Sequence, residues 1–535
     1  MAPPRSRVET EDLTSGSGLG VLGFVFANRT VFPLSRCGQE SQDFKESVCM
    51  SVADWFAAGT RRIPARDAEF IYGETDGNLA HFVVVYVFDT TQYLNAEFTR
   101  ESAIEWVRAR LGHHHMFTHR IRRVPLGLDH PHWISDPDLD LGAHVRVTAI
   151  DEPGWAPLEA PLSELLCTRM DLTRPPWELH FFTGVSGIVD QPGRLTAVAL
   201  KAHHSIGDGL GVLQMVEKVF SDQTATPAAA RLARFLWARL LVQSLWGIPR
   251  QLIQFAKDVP GNRAAARAVG DAERSGEWPA RIAQPGIRFN GKVSGSGTMV
   301  PITLPTESLR RIREAVPGAT VNDALLAVVG NALARYLTEK GERHRGSLVA
   351  MVPRSVRKVE KWESANQLAI MNVDTHTDIE DPLERVARIA ESSKSEKART
   401  SNTAVRRAAI AMETAPAPLM RLFMYTGSSA ANHDPERLRY WHTMISNVAF
   451  GVESLTLNGA PAVAVFGGQP PVDGDGLRHF LAAAAGGDLT LTVMADRAMM
   501  PDTDRYIELI RASLTEFEKV ATGRTNRGPS DEIAS

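Results

Sequence analysis

Apolar positions repeat along this chain with two alternating periods. His81 to Phe88, a run of β-branched and aromatic residues, reads as a buried strand, and Arg194 to Ala202 reads as another strand. Thr99 to Leu111 and Leu210 to Phe220 carry the three-to-four spacing of a helix packed on one face. The second half repeats the alternation. Gly297 to Leu304, Ser347 to Val352, Gln367 to Val373, Ala462 to Phe466 and Asp488 to Ala495 read as strands, and Val321 to Lys340 and Pro382 to Lys397 as helices. Mixed α/β structure in two halves follows.

Between the halves, Arg231 to Pro260 has its own pattern. Trp237, Leu241, Leu245, Ile248, Leu252 and Phe255 fall on one helical face. Arg239, Gln243, Arg250, Gln254 and Lys257 fall opposite, and Pro249 is expected to kink or break the helix. A Trp- and Leu-rich face against a basic one suits a helix lying in a membrane interface; a helix packed on its own protein is the other reading. Asn262 to Gly297, rich in Gly, Ala and Arg, reads as a linker.

These patterns divide the chain into an extension at 1–58, a first domain at 59–225, helix and linker at 226–297, a second domain at 298–522 and a tail at 523–535. The extension lacks sustained periodicity, and Met50 is a candidate natural start. Length favours more than one domain, and 44% hydrophobic with 23% charged residues is an ordinary globular balance. A formal charge of −3 gives no global field for nucleic acid. Cys37, Cys49 and Cys167 match no metal or redox spacing, and an intracellular, cytoplasmic setting is expected. No run is apolar and long enough to span a bilayer.

The chemistry concentrates in His203-His204-Ser205-Ile206-Gly207-Asp208-Gly209, an HHxxxDG stretch between a strand and a helix. A histidine at such a turn can take a proton from a hydroxyl near neutral pH. Asp208 stands too far along the turn to be assumed the imidazole's partner. Helix capping or an ion pair suits it. His113, His114, His115 and His119 lack the Cys, Asp or Glu spacing that would complete a zinc shell, so no metal site is expected. With Arg120, Arg122 and Arg123 they form a basic cluster, a solvated face or a phosphate contact.

Further motifs follow in a fixed order: Pro175-Pro176-Trp177-Glu178, then HHxxxDG, Thr320-Val321-Asn322-Asp323, Val352-Pro353-Arg354-Ser355-Val356-Arg357 and Ser446-Asn447-Val448. The ordered set resembles the bacterial wax ester synthase/diacylglycerol acyltransferase family, over about Ile63 to Leu514. That resemblance implies two chloramphenicol-acetyltransferase-like domains, each a mixed sheet with helices, with the active site at their interface. It implies that acyl-CoA serves as substrate rather than cofactor, with diacylglycerol or a long-chain alcohol as acceptor. It also implies His204 as general base, His203 orienting it and Asp208 steadying the loop. Arg354 and Arg357 are candidate cationic partners of Asp208.

Gly209, Asn322, Asp323, Ser446, Asn447 and Trp177 are the expected substrate-side residues. Five of the six also have a plainer role: Asn322 and Asp323 as helix caps, Ser446 and Asn447 as a turn, Trp177 in the core. Peripheral contact with a membrane or lipid droplet is expected through the amphipathic helix. Ala449-Phe450 replaces the usual Pro-Gly after Ser-Asn-Val, and Pro176 a usual leucine. A noncatalytic lipid-binding protein and a condensation-type, amide-forming enzyme remain open at this point.

Overall fold

The computed structural model describes residues 60–93, 98–227, 236–278, 281, 283–342, 344, 346–356, 364–428, 438–448 and 451–525. The expected extension at 1–58, Arg357 and the Ala449-Phe450 departure lie outside the described residues.

Two six-stranded sheets organise the chain. Their strands, in chain order, are β1 (His81–Asp89), β2 (Val145–Ala149), β3 (Trp177–Val185), β4 (Leu195–His203), β5 (Gly297–Leu304), β6 (Val349–Ser355), β7 (Leu368–Asp374), β8 (Thr443–Asn447), β9 (Thr456–Leu457), β10 (Ala460–Gly468), β11 (Leu477–Ala483) and β12 (Leu489–Asp496). The first sheet runs β9-β10-β1-β4-β3-β2 and the second β7-β6-β8-β11-β12-β5. The helices that matter here are α1 (Ala65–Tyr72), α2 (Gly209–Val219), α3 (Leu236–Arg274), α4 (Val321–Glu339), α5 (Pro382–Ser401), α6 (Ala417–Ser428) and α7 (Thr503–Thr525).

β1 is buried on both faces from His81 to Phe88, as its unbroken apolar run requires of a central strand. Its two neighbours come from opposite ends of the chain. β4 pairs with it antiparallel, His81 opposite His203. β10 pairs with its other edge, Gly468 opposite Val83, with a register shift between Ala462 and Ala464. The second half of the chain therefore completes the first sheet, a crossing that the division into 59–225 and 298–522 does not contain.

The second core wraps α4, which is buried nearly all round and opened by a capping box between Thr320 and Asp323. α5 begins at Pro382, with the Asp381 side chain capping its first turn.

Three expectations are corrected. The amphipathic helix does not end near Pro260: α3 runs to Arg274, through the first part of the expected linker. Pro249 and Pro260 lie inside it, both exposed. The carbonyls they leave unpaired, on Leu245 and Ala256, belong to exposed residues, so water can satisfy them. Arg239, placed on the outer polar face by the pattern, is fully buried with Leu240 and Ser244. The helix is rolled so that part of its apolar row faces outward instead. Finally, α7 reaches Thr525, inside the tail expected from 523.

Candidate active site

β4 delivers the histidine pair. The backbone N–H of His203 donates to the Pro176 carbonyl and that of His204 to the Ala80 carbonyl, so both flanking elements grip the strand's end. The chain then makes one tight turn over His204–Ile206. Gly207 has φ 151°, a conformation that side-chain-bearing residues rarely adopt. Asp208 caps α2, accepting from Gly211 N–H at 3.1 Å.

The two histidines face different ways. His203 is fully buried and its Nδ1 accepts from the Ser205 N–H, which leaves the proton on Nε2, 3.9 Å from Glu74 Oε1. Burial holds it well below the ordinary histidine pKa, so it supports the turn as a neutral ring. His204 instead lines a cavity of about 250 Å³ between the two halves, walled by Phe82, Val84, Met444, Phe480 and Met494 among others. Phe70 of α1 stacks on its ring at 4.4 Å, and Phe82 meets it edge-on.

The partner of His204 Nδ1 is Asn366, whose Oδ1 lies 3.0 Å away. Asn366 Nδ2 donates to Asp67 Oδ1 at 2.8 Å and to the His204 carbonyl at 2.9 Å. The amide is thereby oriented: Oδ1 faces the ring and accepts its Nδ1–H. His204 thus carries its proton on Nδ1 and its lone pair on Nε2. Burial pushes its pKa below the ordinary value, while the Asn366 bond and the Asp208 and Asp67 carboxylates act against that shift. A neutral, tautomer-fixed imidazole with Nε2 on a cavity is what a general base requires.

Asp67 and Asp208 hold Asn366 in place. Asp67, on α1, also accepts from Ser364 Oγ and from the backbone N–H of Ala365 and Asn366. The second oxygen of Asp208 accepts from Gln367 N–H at 2.8 Å. Asp208 thereby braces the segment that carries Asn366. Arg354 donates to Lys397 O, Thr400 Oγ1 and Ser401 Oγ near the end of α5. Arg66, on α1, is close enough for its charge to interact with that of Asp208.

The remaining expected residues divide. Gly209, Ser446 and Asn447 line the cavity with His204. A Cβ on Gly209 would stand 2.9 Å from Val448 Cγ1, so the wall needs glycine there. Trp177 does not reach the cavity lining. It is fully buried, donates Nε1–H to Phe117 O and stacks on His144, anchoring β3 beside the end of β4. Asn322 and Asp323 are not on the cavity wall either; Asp323 caps α4.

His114 and His119 are engaged with local backbone, and the described residues contain no cluster of metal-binding side chains. Asp67, Phe70 and Gln469, which also lines the cavity, escaped sequence reasoning. Asn366 stands one residue before the expected strand Gln367 to Val373, and nothing local marked its role.

Two family models match the chain: the wax ester synthase/diacylglycerol acyltransferase catalytic domain over residues 63–325 and the WS/DGAT C-terminal domain over 364–518. The chain belongs to this family. It is accordingly an acyltransferase with the two-domain fold that the motifs implied.

A Mycobacterium bovis relative, provisionally named a diacylglycerol O-acyltransferase, is 26% identical over 509 residues, covering 90% of this chain and 95% of its own. A Mycobacterium tuberculosis relative with a name of the same kind is 27% identical over 477 residues, covering 85% and 98%. Among solved structures, the wax ester synthase/diacylglycerol acyltransferase of Marinobacter aquaeolei VT8 shares the fold. Its TM-score is 0.59 and its identity 22%, over 86% of this chain and 100% of that one.

Proposed function

We propose that this acyltransferase moves a long-chain acyl group from acyl-CoA to the hydroxyl of diacylglycerol or a long-chain alcohol, with His204 as general base. The observation that carries the reading is the buried imidazole with Nδ1–H fixed on Asn366 and Nε2 turned to an apolar cavity. The alcohol O–H gives its proton to Nε2 while its oxygen attacks the thioester carbonyl carbon. The tetrahedral intermediate then expels the CoA sulfur, which takes the proton back from the imidazolium. The products are an ester and free CoA thiol, and no acyl-enzyme forms.

Ser446 and Asn447, at the end of β8 on the cavity wall, are the candidate donors to the oxyanion. His203 and Asp208 act by positioning. Asn322 and Asp323 serve the site through the placement of α4, and Trp177 through the placement of β3. The test is acceptor-dependent CoA release from palmitoyl-CoA with diacylglycerol or hexadecanol. His204→Ala should lower it by roughly 10²–10⁴-fold. Undiminished release from the variant refutes the assignment.

The same reading places the protein against a lipid surface. Among the described residues no helix is long and apolar enough to cross a membrane. Yet Trp237 (59% exposed) and Trp246 (82%) stand out from α3, and Tyr425 (74%) from α6. Leu126 (85%) lies between, on a turn beside α3, with the Arg421 guanidinium of α6 over Gly127. Apolar groups held in water among arginines suit a headgroup boundary. Trp237→Ser, Leu245→Ser and Trp246→Ser together should abolish flotation with anionic liposomes; unchanged flotation refutes this docking.

A further inference from the structure

The nitrogen that must receive the proton already has a partner. Gln469 Nε2 lies 2.9 Å from His204 Nε2. Arg478 Nη1 lies 3.0 Å from Gln469 Oε1. An arginine only donates, so that oxygen is the amide carbonyl and the atom facing the imidazole is the NH2. With the ring proton fixed on Nδ1 by Asn366, the single lone pair on Nε2 accepts from Gln469. An acceptor alcohol has to donate its O–H to the same lone pair. Both cannot hold it, so the amide stands where the hydroxyl must go.

Gln469 is tethered for such an exchange. It follows β10, where the Gly467 N–H donates to Thr492 Oγ1 across to the second sheet. Arg478, on β11, is itself held by Asp475 at 2.8 Å, with both side chains buried. A turn of the amide that keeps its carbonyl on Arg478 moves only the N–H, and moves it within the cavity that Gln469 lines.

We propose that Gln469 is a specificity-determining residue of the acceptor side: it occupies the hydroxyl's place in the empty site and, once displaced, gives its N–H to a second oxygen of the incoming alcohol. The inference rests on the proposed transfer to an alcohol. A 1,2-diacylglycerol carries an ester oxygen and its carbonyl on the carbon next to the one bearing the hydroxyl. A straight-chain alkanol has no oxygen besides the nucleophile. In a cavity walled mainly by apolar side chains, a displaced N–H left without a partner weakens binding of the alcohol that displaced it. Gln469 thereby favours diacylglycerol over an alkanol.

Gln469→Met removes the donor at nearly constant volume. The full-length wild type and variant, checked for folding by circular dichroism, are compared with palmitoyl-CoA and 1,2-dioleoylglycerol or hexadecanol. The kcat/KM ratio of diacylglycerol to hexadecanol should fall about tenfold, mainly through a lower KM for hexadecanol. A second readout is the pH profile. The donor stabilises the neutral ring, so its loss should move the acid limb of kcat/KM upward. A purely structural glutamine moves neither quantity. The charged and titratable groups around the ring, Asp67, Asp208, His203 and, through Gln469, Arg478, are unchanged in the variant.

An unchanged ratio with an unchanged acid limb in folded Gln469→Met overturns the inference. So does a wild type that accepts hexadecanol alone. Should the methionine variant not fold, Gln469→Asn, one methylene short of the ring, carries the same expectations and the same refutation. A wild type inactive with both acceptors sinks the proposed function and this inference with it. Activity with diacylglycerol leaves the former standing, and the variant then bears on Gln469 alone.

Discussion

Asn366→Ala separates a base that is set by its Nδ1 partner from one that is merely nearby. The variant removes the acceptor 3.0 Å from Nδ1, the donor 2.9 Å from the His204 carbonyl, and one of four donors to Asp67. While the ring is neutral, the Nδ1–H···Oδ1 bond is worth about 1 kcal/mol; once the alcohol's proton arrives on Nε2 it becomes charge-assisted, about 1.5–3 kcal/mol. The difference, about 0.5–2 kcal/mol, acts only as charge develops, and lowers kcat by about 2- to 30-fold. Release of the tautomer adds to this, since a ring with its proton on Nε2 cannot accept there. The overall expectation is a kcat lowered about 10- to 100-fold, with KM for acyl-CoA little changed.

Asp67 keeps three donors, so the stability cost should stay near about 1–3 kcal/mol and the variant should fold. Continuous thiol detection of CoA release gives kcat and KM, and a thermal melt gives the stability. The decisive comparison is His204→Ala against the double variant. If Asn366 works through His204, adding Asn366→Ala to His204→Ala changes the residual rate by less than about twofold. A folded Asn366→Ala with kcat within about threefold of wild type refutes the reasoning. An equal loss in both backgrounds refutes it as well.

Gly209→Ala should lower both kcat/KM and stability, the latter by about 1–3 kcal/mol, because its Cβ meets Val448; adding Val448→Ala should restore them. Wild-type melting and kinetics in Gly209→Ala would show that the wall yields freely. Activity should hold from pH 8 down to about 6.5 and fall only below that, because burial keeps His204 neutral under its free pKa. An acid limb centred at 7.5 or higher contradicts this. Stability should also drop as pH falls from about 6.5 to 4. Burial holds His81 at about 3 and His130, His442 and His479 at about 4, so in that window the unfolded chain binds protons the folded one refuses. Each contributes a slope of up to about 1.4 kcal/mol per pH unit. Denaturant midpoints at pH 7.5, 6 and 5 check it; equal midpoints would show that these rings are solvated.

The legible part of the site was the part made locally. His203, His204, Gly207 and Asp208 sit on one strand–turn–helix, and the alternation of periods on either side places them there. β5 matches its apolar run residue for residue, and α4 falls one residue short, because each is set by a dense apolar pattern. Asn366 reaches His204 from 162 residues away, and Gln469 from 265. Neither distance leaves a periodic trace, because a polar contact between distant segments involves one residue from each. α3 misled for another reason. Periodicity identifies an apolar row but not what covers it, and here Arg239 took the inward place while Trp237 and Trp246 stayed in water.

The pairing of β10 with β1 also sets a timetable for synthesis. About 370 residues separate Asp89 from Ala460. At roughly 5–20 residues per second, β1 leaves the ribosome some 20–75 seconds before its second neighbour exists. Throughout that interval a long, mostly apolar strand has an open edge, the template on which chains aggregate. The nascent first sheet therefore depends on shielding by a chaperone or on rapid completion of the chain. A fragment ending before residue 460 keeps that edge permanently, so the two halves are not separable products.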